Sequence, residues 1–474
     1  MVYQIVRKEI LENLLSLRFI LSLLLIISLF TVGGFVSVKK QRQQIDDYWR
    51  ETNKNLSALS EQTEQLYKLA FFEQTIWRKP KSLTFCAEAF EKYLPNYFRF
   101  SMFGMDYPEV KSRTNFLISG FNDIDWVFII SVFLSFVVML FTYDSICGEK
   151  EAGTLRLMLA SSIPRHKILL GKYFGAMFTL GIPLLVGLLI NLIIVVSSEV
   201  INIGTRDWLR IFGVVLLSLV YLSIFVLLGM FVSSRTAHSA NSMVVLLLIW
   251  VALVILIPSM GRIVSNAFQK IPTQTEMNRQ QSELKEQIVS NAFSGKYGEN
   301  ALSFNPDPNN PTNNPPARAR FRNAITDAKN QIIENRLNQM TTQVAVGRRF
   351  TRISPTMIYR CASEVIVGTG IRRFSDLRRQ IKRYQEDLEE YIRSKDQEDP
   401  ESLHLIFEEE GAARSWGAIS GKPVSFDTVP KYQEQEATLG ESLQWAFRDI
   451  GLLVLFNLVF LTASFASFLM YDVR

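Results

Sequence analysis

Six long apolar runs constrain the fold of this 474-residue chain more than any other feature of its sequence. A helix needs roughly 20 mostly apolar residues to span a membrane, because about 30 Å of hydrocarbon is crossed at about 1.5 Å per residue. Runs such as VVLLLIWVALVILI (244–257) also lack the polar face that a helix of a water-soluble protein keeps. We therefore expect an all-α polytopic membrane protein with six transmembrane helices. The predicted spans are 19–38, 126–143, 176–196, 211–232, 243–258 and 449–470.

Basic residues in short loops predict which side of the membrane each loop faces, because cytoplasmic loops carry an excess of Lys and Arg. The loop 144–175 carries five such residues, whereas 197–207 carries only Arg206. Six spans place both termini on the same side. We therefore expect a protein of the plasma or inner membrane with both termini and 144–175 in the cytoplasm. Segments 39–125 and 259–448 are then extracytoplasmic.

Both extracytoplasmic segments are expected to be mainly helical. In the larger one, five apolar residues alternate steps of four and three, which is the spacing of packed helices. They are Leu377, Ile381, Tyr384, Leu388 and Tyr391. These residues could pack within their own domain, or they could form a coiled contact with a second copy or another protein.

The predicted spans contain few polar residues. Asn191 and Asn457 could line a translocation path or a seam between two subunits, or they could only bond neighbouring helices. No predicted span carries an Asp, Glu, Lys or Arg near its middle, which argues against an ion-coupled carrier.

Cys86 and Cys361 both fall in extracytoplasmic segments, where a disulfide can persist. Two interpretations stay open, a bridge between them or two buried thiols. Sequence alone does not place their Cα atoms within bonding distance.

A charged segment, EKEAGTLRLMLASSIPRHKILLGK (149–172), separates the second and third spans. It begins with alternating acidic and basic residues, followed by a Gly-Thr pair that can end one helix and start another. Apolar residues around Arg156 then predict a short amphipathic helix that Pro164 ends. Such a helix could present its charges to a partner protein, or it could be an ordinary interfacial loop held by lipid headgroups.

This pattern resembles the membrane subunit of type-2 ABC exporters, in which the corresponding segment is a coupling helix that docks into a groove of an ATP-binding subunit. The residues at matching positions are Glu149, Glu151, Gly153, Thr154, Leu155, Pro164, Gly171 and Lys172. The resemblance implies that their neighbours also contribute to that contact, namely Arg156, Leu157, Arg165 and Lys167. The family more often has Ser-Arg where this chain has Pro-Arg.

Two further stretches fit the resemblance. Residues 1–18 look like the family's interfacial amphipathic helix, with Glu9 among the charged residues turned away from the apolar side. The stretch ISPTMIYRCASEVIVGTG (353–370) resembles a subgroup with a large extracytoplasmic insertion before the last span. Within it, Ser354 is a suitable N-cap and Pro355 a suitable first residue of a helix that ends near 367–370.

The resemblance implies the permease subunit of an ATP-binding-cassette exporter-type complex, with ATP and Mg²⁺ on a separate subunit and no cofactor or metal on this chain. The implied partners are that ATP-binding subunit, a second permease of the same or related sequence, and the lipid bilayer. An extracytoplasmic protein is a further candidate, and no nucleic acid is expected. The substrate stays open. The alternative is a mechanical transmitter that moves an extracytoplasmic protein without transporting cargo.

We expect the chain itself not to be an enzyme. It has no G-x-x-x-x-G-K-[ST] loop for ATP phosphates, no H-E-x-x-H zinc motif and no G-x-S-x-G nucleophile motif.

Overall fold

A computed structural model describes residues 2–88, 95–106, 124–160, 164–268 and 270–470, without the side chains of residues 156, 159, 160 and 262. The helices up to residue 235 are α1 (Val2–Leu14), α2 (Leu17–Gln62), α3 (Leu66–Phe71), α4 (Trp126–Phe128), α5 (Ser135–Thr142), α6 (Cys147–Glu151), α7 (Thr154–Ala160), α8 (Arg165–Ser197) and α9 (Thr205–Arg235). The later helices are α10 (Ser239–Trp250), α11 (Ile257–Phe268), α12 (Gln274–Phe293), α13 (Pro315–Thr351), α14 (Pro355–Val367), α15 (Gly370–Gln397), α16 (Glu410–Trp416) and α17 (Leu439–Leu469). Two π-helical turns, Ile129–Leu134 and Val251–Leu256, join α4 to α5 and α10 to α11.

Six helical stretches of the described chain are long and apolar enough to cross a membrane, which confirms the predicted all-α polytopic fold. We call them spans 1 to 6 in chain order. They are Leu17–Gln62, Trp126–Glu151, Arg165–Ser197, Thr205–Arg235, Ser239–Phe268 and Leu439–Leu469. Span 1 is a continuous helix of 46 residues, so it extends well beyond the hydrocarbon layer.

The two asparagines of the apolar runs predicted as spans, Asn191 and Asn457, bond neighbouring helices. Asn191 of span 3 accepts a hydrogen bond from Trp126 Nε1 at 2.8 Å and donates one to the backbone oxygen of Phe30 at 2.7 Å. Asn457 of span 6 donates to the backbone oxygen of Val220 at 3.0 Å. Asn191 therefore joins spans 1, 2 and 3, and Asn457 joins spans 4 and 6. Bonds of this kind contribute on average about 0.6 kcal/mol.

The two large segments outside the spans form one domain with a shared core, which we call the outer domain. A three-stranded antiparallel sheet from the first segment packs there, with strand order β1 (Gln74–Trp77), β2 (Tyr97–Ser101), β3 (Gly104–Met105). Side chains alternate along β2, so that Phe98 and Phe100 are buried while Arg99 faces outward. The sheet was not predicted, because the sequence analysis expected mainly helices here.

The apolar residues of α15 complete this core from the second segment. Leu377, Ile381, Tyr384 and Leu388 are buried in the same cluster as the sheet, and Tyr391 packs against it. Of the two interpretations for this spacing, packing within the domain is therefore confirmed.

Helix α14 lies among the spans rather than in the outer domain. It begins at Pro355 after the N-cap Ser354, as predicted, and ends at Val367, where Gly368 with φ of +82° forms the C-cap. The ring of Tyr359 stacks on Tyr221, near the middle of span 4, with centroids 4.5 Å apart. At its start, Ser354 donates to the backbone oxygen of Leu253 near the middle of span 5. Helices α13 and α14 thus form a hairpin that enters the helix bundle.

Charged residues enter the bundle with this hairpin, although the apolar runs predicted as spans lack them near their middles. Arg348 lies 2.6 Å from Glu364, and both side chains are almost entirely buried. Arg352 lies 2.8 Å from Asp449 of span 6. Each buried charge has an opposite charge beside it, which offsets the cost of removing it from water.

Cys86 and Cys361 are buried free thiols in the structure. The disulfide considered from the sequence is therefore not formed, and two buried thiols are found instead.

Candidate functional site

The charged segment between spans 2 and 3 forms two short helices with a sharp break. Helix α6 ends at Glu151, and Gly153 adopts φ of +72°, a left-handed conformation that costs other residues energy. Helix α7 restarts the chain at Thr154, and Pro164 precedes the first residue of span 3. This order of helix, glycine break, helix and proline matches the expectation from the sequence.

A buried ion-pair triad joins this segment to α1 and to span 3. Lys172 Nζ lies 2.8 Å from Glu149 Oε1 and 2.8 Å from Glu9 Oε1, and its side chain is only 4% exposed. Two carboxylates around one ammonium satisfy a charge that would otherwise be costly to bury. The sequence analysis placed Glu9 away from the apolar side of α1 and predicted that Lys172 contributes to a partner contact. In the structure these two side chains face each other, so Lys172 is held within the chain by its ion pairs.

Two small residues of span 3 allow α1 to approach closely. A Cβ atom on Gly171 would lie 2.6 Å from Ile5 Cγ2, and one on Gly175 would lie 2.7 Å from Glu9 Cβ. Real Cβ contacts are longer than this, so only glycine fits at either position without displacing α1. Gly171, which was predicted to contact a partner, allows α1 to pack closely against span 3.

The next two residues of the segment contact spans 4 and 5. Lys150 Nζ donates to the backbone oxygen of Ser234 at 2.5 Å and to that of Thr236 at 3.1 Å, at the end of span 4. Glu151 accepts from the backbone N–H of Ser239 at 3.0 Å, and its carboxylate lies 3.3 Å from His238 Nδ1. The Glu151 carboxylate thus accepts a hydrogen bond from an N–H group that has no partner within the helix of span 5. Its negative charge is also attracted to the positive N-terminal end of that helix.

The remaining predicted residues divide between buried and exposed positions. Leu155 is buried at 1% exposure, whereas Leu157 is 74% exposed. Arg165 donates to the backbone oxygen of Leu469 at 2.7 Å, at the end of span 6. Gly153, Thr154 and Pro164 are exposed, Lys167 is half-buried, and the side chain of Arg156 lies outside the described part of the chain. The segment therefore has an inner side fixed to the spans and an outer side that includes Leu157.

Several residues of this site were not found from the sequence. Ser233 accepts hydrogen bonds at 3.0 Å from the backbone N–H groups of Ile146 and Cys147 and so caps α6. Ser239 and His238 hold Glu151. The two consecutive serines in SSR (233–235) and the serine at 239 mark the turn between spans 4 and 5, but nothing in the sequence connects that turn with a segment 85 to 90 residues earlier.

No group of three or more His, Cys, Asp or Glu side chains that could hold a metal ion lies within the described residues.

Comparisons with known proteins agree with the resemblance at the level of the family. The sequence model of the ABC-2 family transporter proteins matches residues 3–473. A probable ABC transporter permease protein NosY from Stutzerimonas stutzeri is 37% identical over 73 residues, which is 15% of this chain and 26% of the relative. The protein of the same name from Pseudomonas aeruginosa is 41% identical over 51 residues, which is 11% of this chain and 18% of the relative. Both matches thus span well under two thirds of the relatives' lengths.

Proposed function

The chain belongs to the ABC-2 family of transporter proteins and is a permease of that family, and from this premise we propose that it is driven by a separate ATP-binding subunit. In this proposal the chain is the membrane-spanning subunit of an exporter-type complex. The partner binds ATP and Mg²⁺, and the chain converts the partner's movement into rearrangement of its spans. The segment 149–172 and both termini then face the cytoplasm.

One observation carries the proposal. Three adjacent residues, Glu149, Lys150 and Glu151, form hydrogen bonds with three different spans. Their partners lie in spans 3, 4 and 5, respectively. A force applied to this segment would therefore reach spans 3, 4 and 5 together. Movement driven by ATP requires that nucleotide binding favour one arrangement of the complex over another, and a rigid link to several spans supports such a difference.

The exposed side of the segment supplies the contact surface. Leu157 is a large apolar side chain that is mostly in solvent, and the exposed Glu151 lies nearby on the chain. An apolar anchor with charged residues at its edge is typical of protein–protein contacts. We assign this surface to the ATP-binding subunit. A second permease would complete the complex through lipid-exposed faces of the spans.

The mechanical-transmitter alternative is favoured by a specific feature of the fold. Span 1 continues without a break from Leu17 to Gln62 and ends in the outer domain, where Leu59 is buried in the shared core. The hairpin of α13 and α14 connects the same domain to spans 4 and 5. Movement of the spans would thus be passed to the outer domain, and an extracytoplasmic partner bound there would be moved even without cargo.

The test is affinity purification of the full chain from its native membrane, followed by identification of bound subunits and assay of ATP hydrolysis. The variant Leu157→Asp should lose the ATP-binding subunit, because it places a charge in the apolar contact. Leu403→Asp makes the same exchange at a 46% exposed position of the outer domain and should retain the subunit. Equal recovery of an ATPase subunit with both variants would contradict the docking surface, and its absence from cross-linked wild type would contradict ATP coupling.

The same preparation separates exporter from transmitter. Reconstituted complexes that hydrolyse ATP only when an extracytoplasmic protein is present, with no solute crossing the vesicle wall, would favour the transmitter. Hydrolysis stimulated by a transported solute would favour the exporter.

A further inference from the structure

A cleft of about 360 Å³ lies where the outer domain meets spans 4 and 6. Its floor includes Arg210 at the start of span 4, and one wall is helix α15 with Arg372 and Arg383. The opposite wall includes Trp445 at the start of span 6 and the chain that leads into it. Six basic and four acidic residues line the cleft among the described residues, so its charge depends on which of them are paired.

Three of the four carboxylates are neutralised within the cleft wall. The pairs are Glu436 with Lys81, Glu434 with Arg373, and Asp376 with Arg379. The fourth, Glu441, accepts hydrogen bonds from Thr438 at the start of span 6. No carboxylate of the described chain lies within ion-pair distance of Arg210, Arg372 or Arg383, although Asp207 and Glu436 attract Arg210 from farther away. The cleft therefore has an excess of positive charge.

Arg210 is the buried member of this unpaired set. Its guanidinium donates to the backbone oxygens of Ile366 and Ala437 at 2.7 Å each, and to Ser442 Oγ at 3.3 Å. These acceptors fix the side chain but are neutral. The carboxylates of Asp207 and Glu436 attract this buried charge only from beyond ion-pair distance, so an anion in the cleft would stabilise it further.

The position of the cleft relative to the hydrocarbon layer indicates the source of that anion. Arg210 directly precedes the predicted apolar part of span 4, and Trp445 lies four residues before that of span 6. At about 1.5 Å per residue, the tryptophan lies about 6 Å beyond the hydrocarbon, within the headgroup layer. The Arg372 guanidinium stacks over its ring at 5.1 Å, and tryptophan is enriched at this depth of membrane proteins.

We propose that this cleft binds the phosphate of an anionic lipid headgroup from the leaflet that faces the outer domain. Arg372 and Arg383, both exposed, contact the phosphate, and Arg210 supplies a fixed positive charge beneath it. The fatty acyl chains lie along spans 4 and 6. This site does not depend on an ATP-binding partner and so stands apart from the function proposed above.

The test uses the full purified chain in a nonionic detergent and native mass spectrometry with added phosphatidylglycerol or phosphatidylcholine of identical acyl chains. Wild type should retain one phosphatidylglycerol per chain in preference to phosphatidylcholine. The double variant Arg372→Ala, Arg383→Ala should weaken that binding by about tenfold or more, since each arginine near a lipid phosphate contributes a severalfold effect. Arg448→Ala is the control, because Arg448 is exposed one turn from Trp445 but does not line the cleft.

Three results would overturn the assignment. They are equal retention of the two lipids by wild type, unchanged retention by the double variant, and binding of inorganic phosphate without phosphatidylglycerol. The last would identify a soluble anion as the ligand. If the double variant does not fold, Arg383→Gln replaces it, because this side chain is exposed and its exchange should still lower phosphatidylglycerol retention.

Discussion

At the scale of single residues, the charged segment shows how neighbours in sequence act on separate helices. Glu149 pairs with Lys172 of span 3, Lys150 reaches the end of span 4 and Glu151 the start of span 5. The sequence identified these residues as important because they match a family motif. It did not predict which helix each of them contacts, because those helices are distant from the segment in sequence.

The buried triad at Lys172 yields the first prediction. Lys172→Met leaves Glu9 and Glu149 close together without a cation, and breaking a buried ion pair in this way typically costs about 3–5 kcal/mol. The melting temperature of the variant in detergent, followed by circular dichroism, should therefore fall. Adding Glu9→Gln and Glu149→Gln should recover most of the loss, because no buried charge then lacks a partner. A single variant as stable as wild type would mean that water already solvates these charges.

A carboxylate of the outer domain yields a prediction about pH. Hydrogen bonds from Lys422 and Ser420 hold the pKa of Asp399 at about 2, below its ordinary value of 3.8. Because the folded state has the lower pKa, the stabilisation is fully present above pH 4 and is lost as the pH falls towards 2. The stability difference between wild type and Asp399→Asn, measured by thermal unfolding from pH 5 to pH 2.5, should shrink over that range. A constant difference would show that the ionised form gains nothing on folding.

At the scale of elements, small residues decide where helices meet. Helix α1, which was predicted to be an interfacial helix, packs on the first turns of span 3 at Gly171 and Gly175. Its apolar periodicity predicted an amphipathic helix correctly. The choice of partner depended on a close backbone approach, for which the glycine spacing of span 3 was the available signal.

Gly171→Leu should displace α1, because its side chain would occupy the place of Ile5. Gly181→Leu is a matched control in the same span, since a Cβ atom there meets nothing within 4 Å. We expect faster proteolytic cleavage within α1 and a lower melting temperature for the first variant only. Equal behaviour of the two variants would contradict the packing of α1 on span 3.

At the scale of the whole molecule, the six spans and the charged segment could be predicted, whereas the arrangement of the outer domain could not. The apolar runs predict the number of spans, and six helical stretches of the described chain are long and apolar enough to be those spans. The shared core joins residues far apart in sequence, such as Phe98 and Phe374. The position of the hairpin could not be predicted from apolar periodicity either. Helix α14 has the composition of a helix in a water-soluble protein, although its residue Tyr359 lies among the spans.

The orientation of the molecule can be tested with a membrane-impermeant maleimide on intact cells. Leu403→Cys should be labelled directly, whereas Leu157→Cys should be labelled only after permeabilisation. The background is expected to be low, because the three native thiols are buried and burial raises the pKa of Cys86 well above its ordinary value. Labelling of both variants without permeabilisation, or the opposite order, would contradict the assignment of sides.

The discontinuous outer domain has a consequence for biosynthesis. Phe98 packs on Phe374, so the first part of the core emerges from the ribosome roughly 280 residues before its partner. At about 5–20 residues per second, the apolar face of β2 waits roughly 15 to 55 seconds while four further spans are inserted. With the orientation proposed above, it is exposed on the translocated side of the membrane during that interval. We therefore expect that slower insertion of spans 2 to 5 increases aggregation of the chain before any defect in the finished protein is seen.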